Sequence, residues 1–222
     1  MPPRGIPSGD RYPEAARVAV VCCGDSRTAG SSGDIQKGGY KTLLYTRLFT
    51  RLGMAPTFKG ATWQYSCSFP QLGYPGLRTD QLLTYIQNES PLYPNSDFFL
   101  IDIGANDVSM GFDLDTACAN VDAICSQIRI DSPNATIIIA TIYDIDGDTA
   151  LVESYNTKLA AKMAARASDY SATPAVGKTF MYDQYALLGA YQVTDWYNSI
   201  HLNQTGYDRA ANGWYDQIAA LL

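Results

Sequence analysis

The chain has 222 residues, 46% of them apolar and 12% aromatic, which is enough for one large buried core. Its 16 basic against 22 acidic residues give a net charge of −6, and no basic run stands out, so nucleic acid and an anionic membrane are not expected as partners. No apolar run approaches the roughly 20 residues of a spanning helix, and the opening "MPPRGIPSGDRYPEAA" lacks the apolar centre of a signal peptide, so the chain as given reads as soluble.

In chain order, residues 1–16 read as an N-terminal extension to the first strand, "RVAVVCC" from Arg17 to Cys23. A helix with a glycine cap follows at Tyr40 to Gly53, then a weaker strand at Pro56 to Gly60. "DFFLIDIG" (Asp97 to Gly104) is a central strand, followed by a helix over Asp115 to Pro133, in which Ala117, Val121, Ile124 and Ile128 recur at helical spacing. "ATIIIAT" (Ala135 to Thr141) is the next strand, Leu151 to Ala167 a helix, Lys178 to Asp183 a weaker strand, and Thr205 to Leu222 the last helix. Strand-length apolar runs alternating with helical stretches predict a parallel sheet covered on both faces. The expectation is one domain over 1–222, a three-layer α/β/α sandwich with about five parallel strands.

In such sheets ligands bind beyond the carboxyl ends of the strands, so the residues after each strand come first. "GDSRTAG" after the first strand places Asp25 and Ser26 at a strand-to-helix turn. There a serine hydroxyl can be held exposed, although both residues also suit a plain helix cap. "IGANDV" after the central strand offers the Asn106 amide to the same crevice, with a local turn at Asn106 and Asp107 as the alternative. In "LGYPGLRTDQLL" Gly76 precedes an apparent helix, so its N–H is expected to be free for an anion. His201, the sole histidine, stands shortly before the last helix. A serine, two further donors and a histidine, in that order, supply a nucleophile, an oxyanion site and a base, the parts acyl transfer needs.

Four ordered blocks, "GDSRTAG", "GYPGLRTDQ", "IGANDV" and "NSIHLNQTGY", make the sequence resemble the SGNH, or GDS(L)-type, hydrolases over nearly its whole length. In detail it looks most like the acetyl xylan esterases of carbohydrate esterase family three. The resemblance implies a flavodoxin-like α/β fold, a serine esterase acting on acetylated carbohydrate, and no cofactor or metal. It implies Ser26 as nucleophile, His201 as base, and an oxyanion hole from the Ser26 and Gly76 backbone N–H groups and the Asn106 side chain. Work outside the cell is expected, with the cytoplasm as the alternative, and so is a monomer.

One position departs from the family. Where the family has an Asp three residues before the His, this chain has Asn198. An amide turned the wrong way favours the wrong imidazole tautomer, whereas its oxygen would orient the ring without a countercharge. The expected partners of His201 are therefore the Asn198 oxygen, a backbone carbonyl, or Asp195 six residues upstream. The alternatives to a working acetylesterase are a lipase or thioesterase for longer acyl esters, an inactive variant, and a carbohydrate-binding protein on a hydrolase scaffold. Trp63, Tyr74, Trp196 and Tyr197, with Tyr65 and Tyr143, flank these segments as candidate sugar contacts, with core packing as the alternative. Arg27 and Asp107 read as supports rather than substrate contacts.

Of five cysteines, Cys22 and Cys23 are neighbours in a strand, and Cys118 and Cys125 are seven apart on a helix, about 10 Å by helical rise and too far for a bridge. Cys67 has no nameable partner, so mostly buried thiols are expected. Three glycosylation triplets begin at Asn88, Asn134 and Asn203, a weak pointer to secretion.

Overall fold

The five long apolar runs form parallel strands: β1 (Arg17–Gly24), β2 (Ala55–Lys59), β4 (Phe98–Asp102), β5 (Thr136–Ala140) and β6 (Thr179–Tyr182). A two-residue strand, β3 (Leu72–Gly73), adds a sixth to the sheet. The computed structural model describes residues 17–33, 38–60, 70–91, 93–166 and 177–222. The sheet order is β2-β1-β4-β5-β6, and β3 pairs with β1 beyond the end of β2. The α/β layered architecture expected from the alternation of runs is the one observed.

The strands carry apolar side chains on both faces because helices cover both. Along β1, Val18, Val20 and Cys22 face one core, while Val21 and Cys23 face the other. β5 divides likewise, with Ile138 and Ala140 in the first core and Ile137 and Ile139 in the second. The first core packs against α2 (Lys41–Leu52) and α8 (Gln204–Leu221), and the second against α3 (Thr79–Asn88), α5 (Leu114–Asp131) and α6 (Thr149–Ala164).

Helix ends follow local chemistry. α2 stops where Gly53 takes φ +65°. The α5 start is set by Asp113, whose side chain accepts the Thr116 N–H at 2.8 Å. Its stripe of Ala117, Val121, Ile124 and Ile128 is fully buried. Three short helices, α1 (Ser26–Ala29), α4 (Ala105–Ser109) and α7 (Gln184–Leu188), complete the described elements. α4 occupies the place where a turn at Asn106 and Asp107 was the alternative; five residues are too few to display a helical period. Among the described residues no helix is long and apolar enough to cross a membrane.

Cys22, Cys23, Cys118 and Cys125 are buried, while Cys67 lies outside the described residues. Asn88 and Asn134 are exposed. Asn203 is committed as the N-cap of α8: it accepts the Gly206 N–H at 3.1 Å and donates to the Thr194 carbonyl at 2.8 Å, so it is poorly placed to carry a glycan.

β1, β3 and β4 end level with one another, with Gly24 opposite both Gly73 and Asp102. Connections from β1 lead to β2 and β3 on one side, and the sheet continues through β4 on the other, so the β1–β4 crevice is the switch point where α/β sheets bind ligands.

Candidate active site

Ser26 sits two residues beyond the end of β1. Gly24 permits the turn: a Cβ there would lie 1.9 Å from the Asp102 carbonyl oxygen, so only glycine lets β1 end against β4. Asp25 is the N-cap of α1, its Oδ1 accepting the Arg27 N–H at 2.8 Å. The capping reading of this turn therefore holds for Asp25. Ser26 becomes the first helical residue, and its own N–H has no acceptor within that helix. The single turn of α1 closes at Gly30, whose N–H reaches the Ser26 and Arg27 carbonyls. Thr28 Oγ1 donates to the Cys23 and Asp102 carbonyls, both at 3.3 Å, and Lys41 Nζ donates to the Thr28 carbonyl.

Gly76 lies three residues past the end of β3, in a turn closed by the Leu77 N–H on the Tyr74 carbonyl at 3.2 Å. With Pro75 second and Gly76 third at φ +82°, this is the arrangement of a type II turn, which demands a positive φ at Gly76. α3 begins only at Thr79, with Arg78 as its N-cap, so Gly76 is not one of that helix's terminal donors as its sequence position suggested. Its N–H is free of the turn bond for a different reason, since the donor in that bond is Leu77.

Asn106 is the second residue of α4 and 7% exposed. One of its amide hydrogens goes to the Leu77 carbonyl at 2.8 Å, next to Gly76, leaving the other for the crevice. Asp107 beside it accepts the Thr79 N–H at 3.0 Å and the Thr79 hydroxyl at 2.7 Å, tying α4 to α3. Burial raises the Asp107 carboxyl above its ordinary value, and the Thr79 bonds oppose that. Asn106 and Asp107 thus lock the Gly76 turn to the end of β4.

His201 arrives on a closed loop. The Asn203 N–H bonds the Asp195 carbonyl at 2.9 Å, Trp196 bridges Leu202, and the Tyr197 N–H bonds the His201 carbonyl at 2.9 Å. Within the loop the Asn198 Oδ1 accepts two backbone N–H groups, His201 at 2.8 Å and Ile200 at 3.1 Å. Two donors demand the amide oxygen, so the Asn198 NH2 cannot occupy that place. The loop delivers His201 Nε2 to 2.8 Å from Ser26 Oγ. Ser26 is 5% exposed.

The two candidate side-chain partners of the ring are engaged elsewhere. Asn198 faces the loop backbone. Asp195 is 5% exposed and forms an ion pair with Arg209, which also donates to the Leu187 carbonyl at 2.7 Å. His201 Nδ1 is buried with no hydrogen-bond partner among the described residues. Burial first, and the Arg27 cation second, lower the His201 pKa from its ordinary value. The imidazole is therefore neutral, and able to take a proton, to a lower pH than a free histidine.

Beneath the pair lies a buried charge cluster whose depth the sequence did not announce. Arg27, Asp25 and Asp102 are each 2% exposed or less. Burial pushes both carboxyls up, Asp102 further raises Asp25, and Arg27 opposes the rise in each. Gln184 Nε2 donates to Asp102 Oδ2 at 3.1 Å. An acid ending the otherwise apolar "FFLID" was the available sign.

The aromatic candidates separate. Tyr197, on the histidine loop, is 68% exposed. Tyr74 and Trp196 are buried instead, Tyr74 against the Tyr85 ring and Trp196 edge-on to Tyr143, which is itself buried, so packing claims all three as aromatics usually are claimed. Trp63 and Tyr65 lie outside the described residues. A cavity of about 450 Å³ lined by Arg17, Asp97, Phe98 and Leu222 opens at the amino ends of the strands, the opposite end of the sheet from Ser26 and His201.

A model of the GDSL-like Lipase/Acylhydrolase family matches residues 22–209. No curated protein sequence matches the chain. Among solved structures, the chain is similar to a family 3 carbohydrate esterase of Clostridium thermocellum, at 24% identity and TM-score 0.72 over 92% of this chain and 97% of that one. A carbohydrate esterase family 3 protein from Talaromyces cellulolyticus follows at 19% identity and TM-score 0.70, again over 92% and 97%. A lipolytic G-D-S-L family member from Veillonella parvula has 17% identity and TM-score 0.68 over 91% and 98%. At these identities the likeness is one of fold.

Proposed function

The chain belongs to the GDSL-like lipase/acylhydrolase family, and from that premise we propose a serine esterase that removes short acyl groups, acetyl first, from carbohydrate esters such as acetylated xylan. The observation that carries this reading is the 2.8 Å contact between Ser26 Oγ and His201 Nε2 beyond the strand ends. Ser26 Oγ attacks the ester carbonyl as its proton passes to His201 Nε2. The oxyanion is held by the Ser26 and Gly76 N–H groups and the free Asn106 amide hydrogen. His201 then gives the proton to the leaving alcohol as the C–O bond to it breaks, takes a proton from water as that water attacks the acyl carbon, and returns it to Ser26 Oγ as the acyl–Oγ bond breaks and the acid leaves. Residues 1–222, with 1–16 as an N-terminal extension, act as one catalytic domain, as a monomer, outside the cell where polymeric substrates are met.

Support for a carbohydrate alcohol comes from the names of the two esterases of similar fold, and from Tyr197, whose exposed ring on the histidine loop offers a face to a sugar. A second reading, sugar binding without turnover, draws on the His201 Nδ1 that has no partner among the described residues. Hydrolysis of p-nitrophenyl acetate, butyrate and octanoate, together with acetate release from acetylated xylan, tests the choice. The acetylesterase reading expects acetate to be the best acyl group and xylan to be deacetylated. Octanoate preference would move the substrate to lipids, and xylan binding without acetate release would favour the second reading.

A further inference from the structure

Arg27 follows Ser26 directly and is completely buried. Burying a guanidinium is costly unless its donors find acceptors, so where they point matters. Nε donates to the Ile200 carbonyl at 3.2 Å and Nη1 to the Tyr143 carbonyl at 3.2 Å, while the guanidinium carbon lies 3.7 Å from the centre of the Tyr143 ring. One residue therefore begins beside Ser26 and ends on the carbonyl that precedes His201. The loop is also tied to the β5 side by the Asp146 N–H on the Ser199 carbonyl at 2.9 Å.

Resting on the acyl-transfer reading above, we propose that Arg27 is the positioning residue of the base: through the Ile200 carbonyl it sets the His201 ring against Ser26 Oγ, in place of a carboxylate on the ring. The usual means are engaged elsewhere, since Asn198 holds the loop backbone and Asp195 holds Arg209. A planar fork gripping two carbonyls from two elements fixes direction as well as distance, which a lysine cannot do. Orientation by a cation has a cost that orientation by a carboxylate lacks. Arg27 disfavours the imidazolium, adding to the effect of burial. The other groups facing the guanidinium are Asp25 and Asp102, from the β1–α1 turn and β4, with Tyr143 after β5 and Tyr207 on α8. The site consequently keeps a well-placed neutral base at acidic pH.

The single histidine makes the test clean, because one imidazole gives one pair of ring-nitrogen resonances in the full-length protein. Titration of wild type, Arg27→Met and Arg27→Lys, each checked for folding by circular dichroism, separates charge from grip. Wild type is expected to titrate below a free histidine, and Arg27→Met above wild type. Arg27→Lys keeps the low titration but is expected to lose roughly 10- to 100-fold in kcat on p-nitrophenyl acetate with KM nearly unchanged. A purely structural Arg27 would lower the melting temperature and leave kcat of folded Arg27→Lys unmoved. An unshifted titration in folded Arg27→Met, or full kcat in Arg27→Lys, overturns the proposal. Should Arg27→Met fail to fold, Arg27→Lys decides: full kcat overturns the proposal, and a loss of kcat with KM and titration kept supports it. Absence of turnover above a Ser26→Ala background defeats the esterase reading instead, and leaves the titrations to decide the role of Arg27.

Discussion

The turn that carries Ser26 and the loop that carries His201 meet at 2.8 Å, yet they are built in opposite ways. The serine turn is welded to the sheet: Gly24 pairs with two strands, Asp25 caps α1, and Thr28 and Lys41 hold the rest. The histidine loop is closed mainly by its own backbone, with Asn198 as an internal brace and Tyr197 open to solvent. Its tie to the serine turn is Arg27, which belongs to the turn. The difference teaches where each half is vulnerable. Arg27 apart, a change in the serine half should alter rate at a fixed pH profile, whereas a change in the histidine half should move the profile itself.

The largest expected effect is in the serine half. Asn106→Ala removes an oxyanion donor and should lower kcat by about 10²- to 10³-fold, with the acid limb of the pH profile unmoved. A shifted limb would break the division between halves. Next comes Asn198→Asp. One carboxylate oxygen can keep both backbone N–H bonds, and the added negative charge favours the imidazolium, so the His201 titration and the acid limb of kcat/KM should move to higher pH. Maximum kcat should rise about tenfold, less than the 10⁴ by which the handed-down Asp–His pairing of serine proteases exceeds its amide variant, because the ring is already positioned. Unchanged pH dependence would mean that position 198 does not feel the ring.

The smallest effect concerns stability. Asp102 and Asp25 have raised carboxyl pKa values, Asp25 up to about 7, so the folded state holds protons that the unfolded chain has released. Stability from these groups is therefore full below the ordinary carboxyl value of about 4 and is lost as pH rises through their raised folded values, about 7 for Asp25. Asp102→Asn retains an acceptor for Gln184 and removes one buried titration. The loss of unfolding free energy between pH 5 and 8, measured by urea denaturation, should shrink. A steeper loss in the variant would contradict the sign.

The same contrast decides what could be read from the sequence. β1, β4, β5 and α5 announce themselves because burial on both faces, or along one stripe, imposes a pattern over many residues. Ser26, Gly76, Asn106 and His201 were legible as members of four ordered blocks. Their local frames were less so: α4 and α7 are too short for a period, and the Gly76 turn resembled a helix start because Pro and Gly serve both. The surroundings of His201 could not be read at all. An Asn three residues before a His suggests a ring partner, but whether its oxygen meets the ring or the backbone depends on loop closure through Asn203, Trp196 and Leu202. Arg27 looked like an accessory because no local pattern reveals that its guanidinium will reach Ile200, 173 residues away. Tyr74 and Trp196 were open candidates until packing claimed them.

The central claim is that Ser26 Oγ forms a bond to the acyl group with His201 as its base. Brief reaction with a p-nitrophenyl phosphonate ester, followed by intact mass measurement and peptide mapping, reads that bond directly. The account predicts one adduct per chain on Ser26, absent in Ser26→Ala and strongly slowed in His201→Ala. An unlabelled protein, or label on another residue with Ser26 untouched, would contradict it.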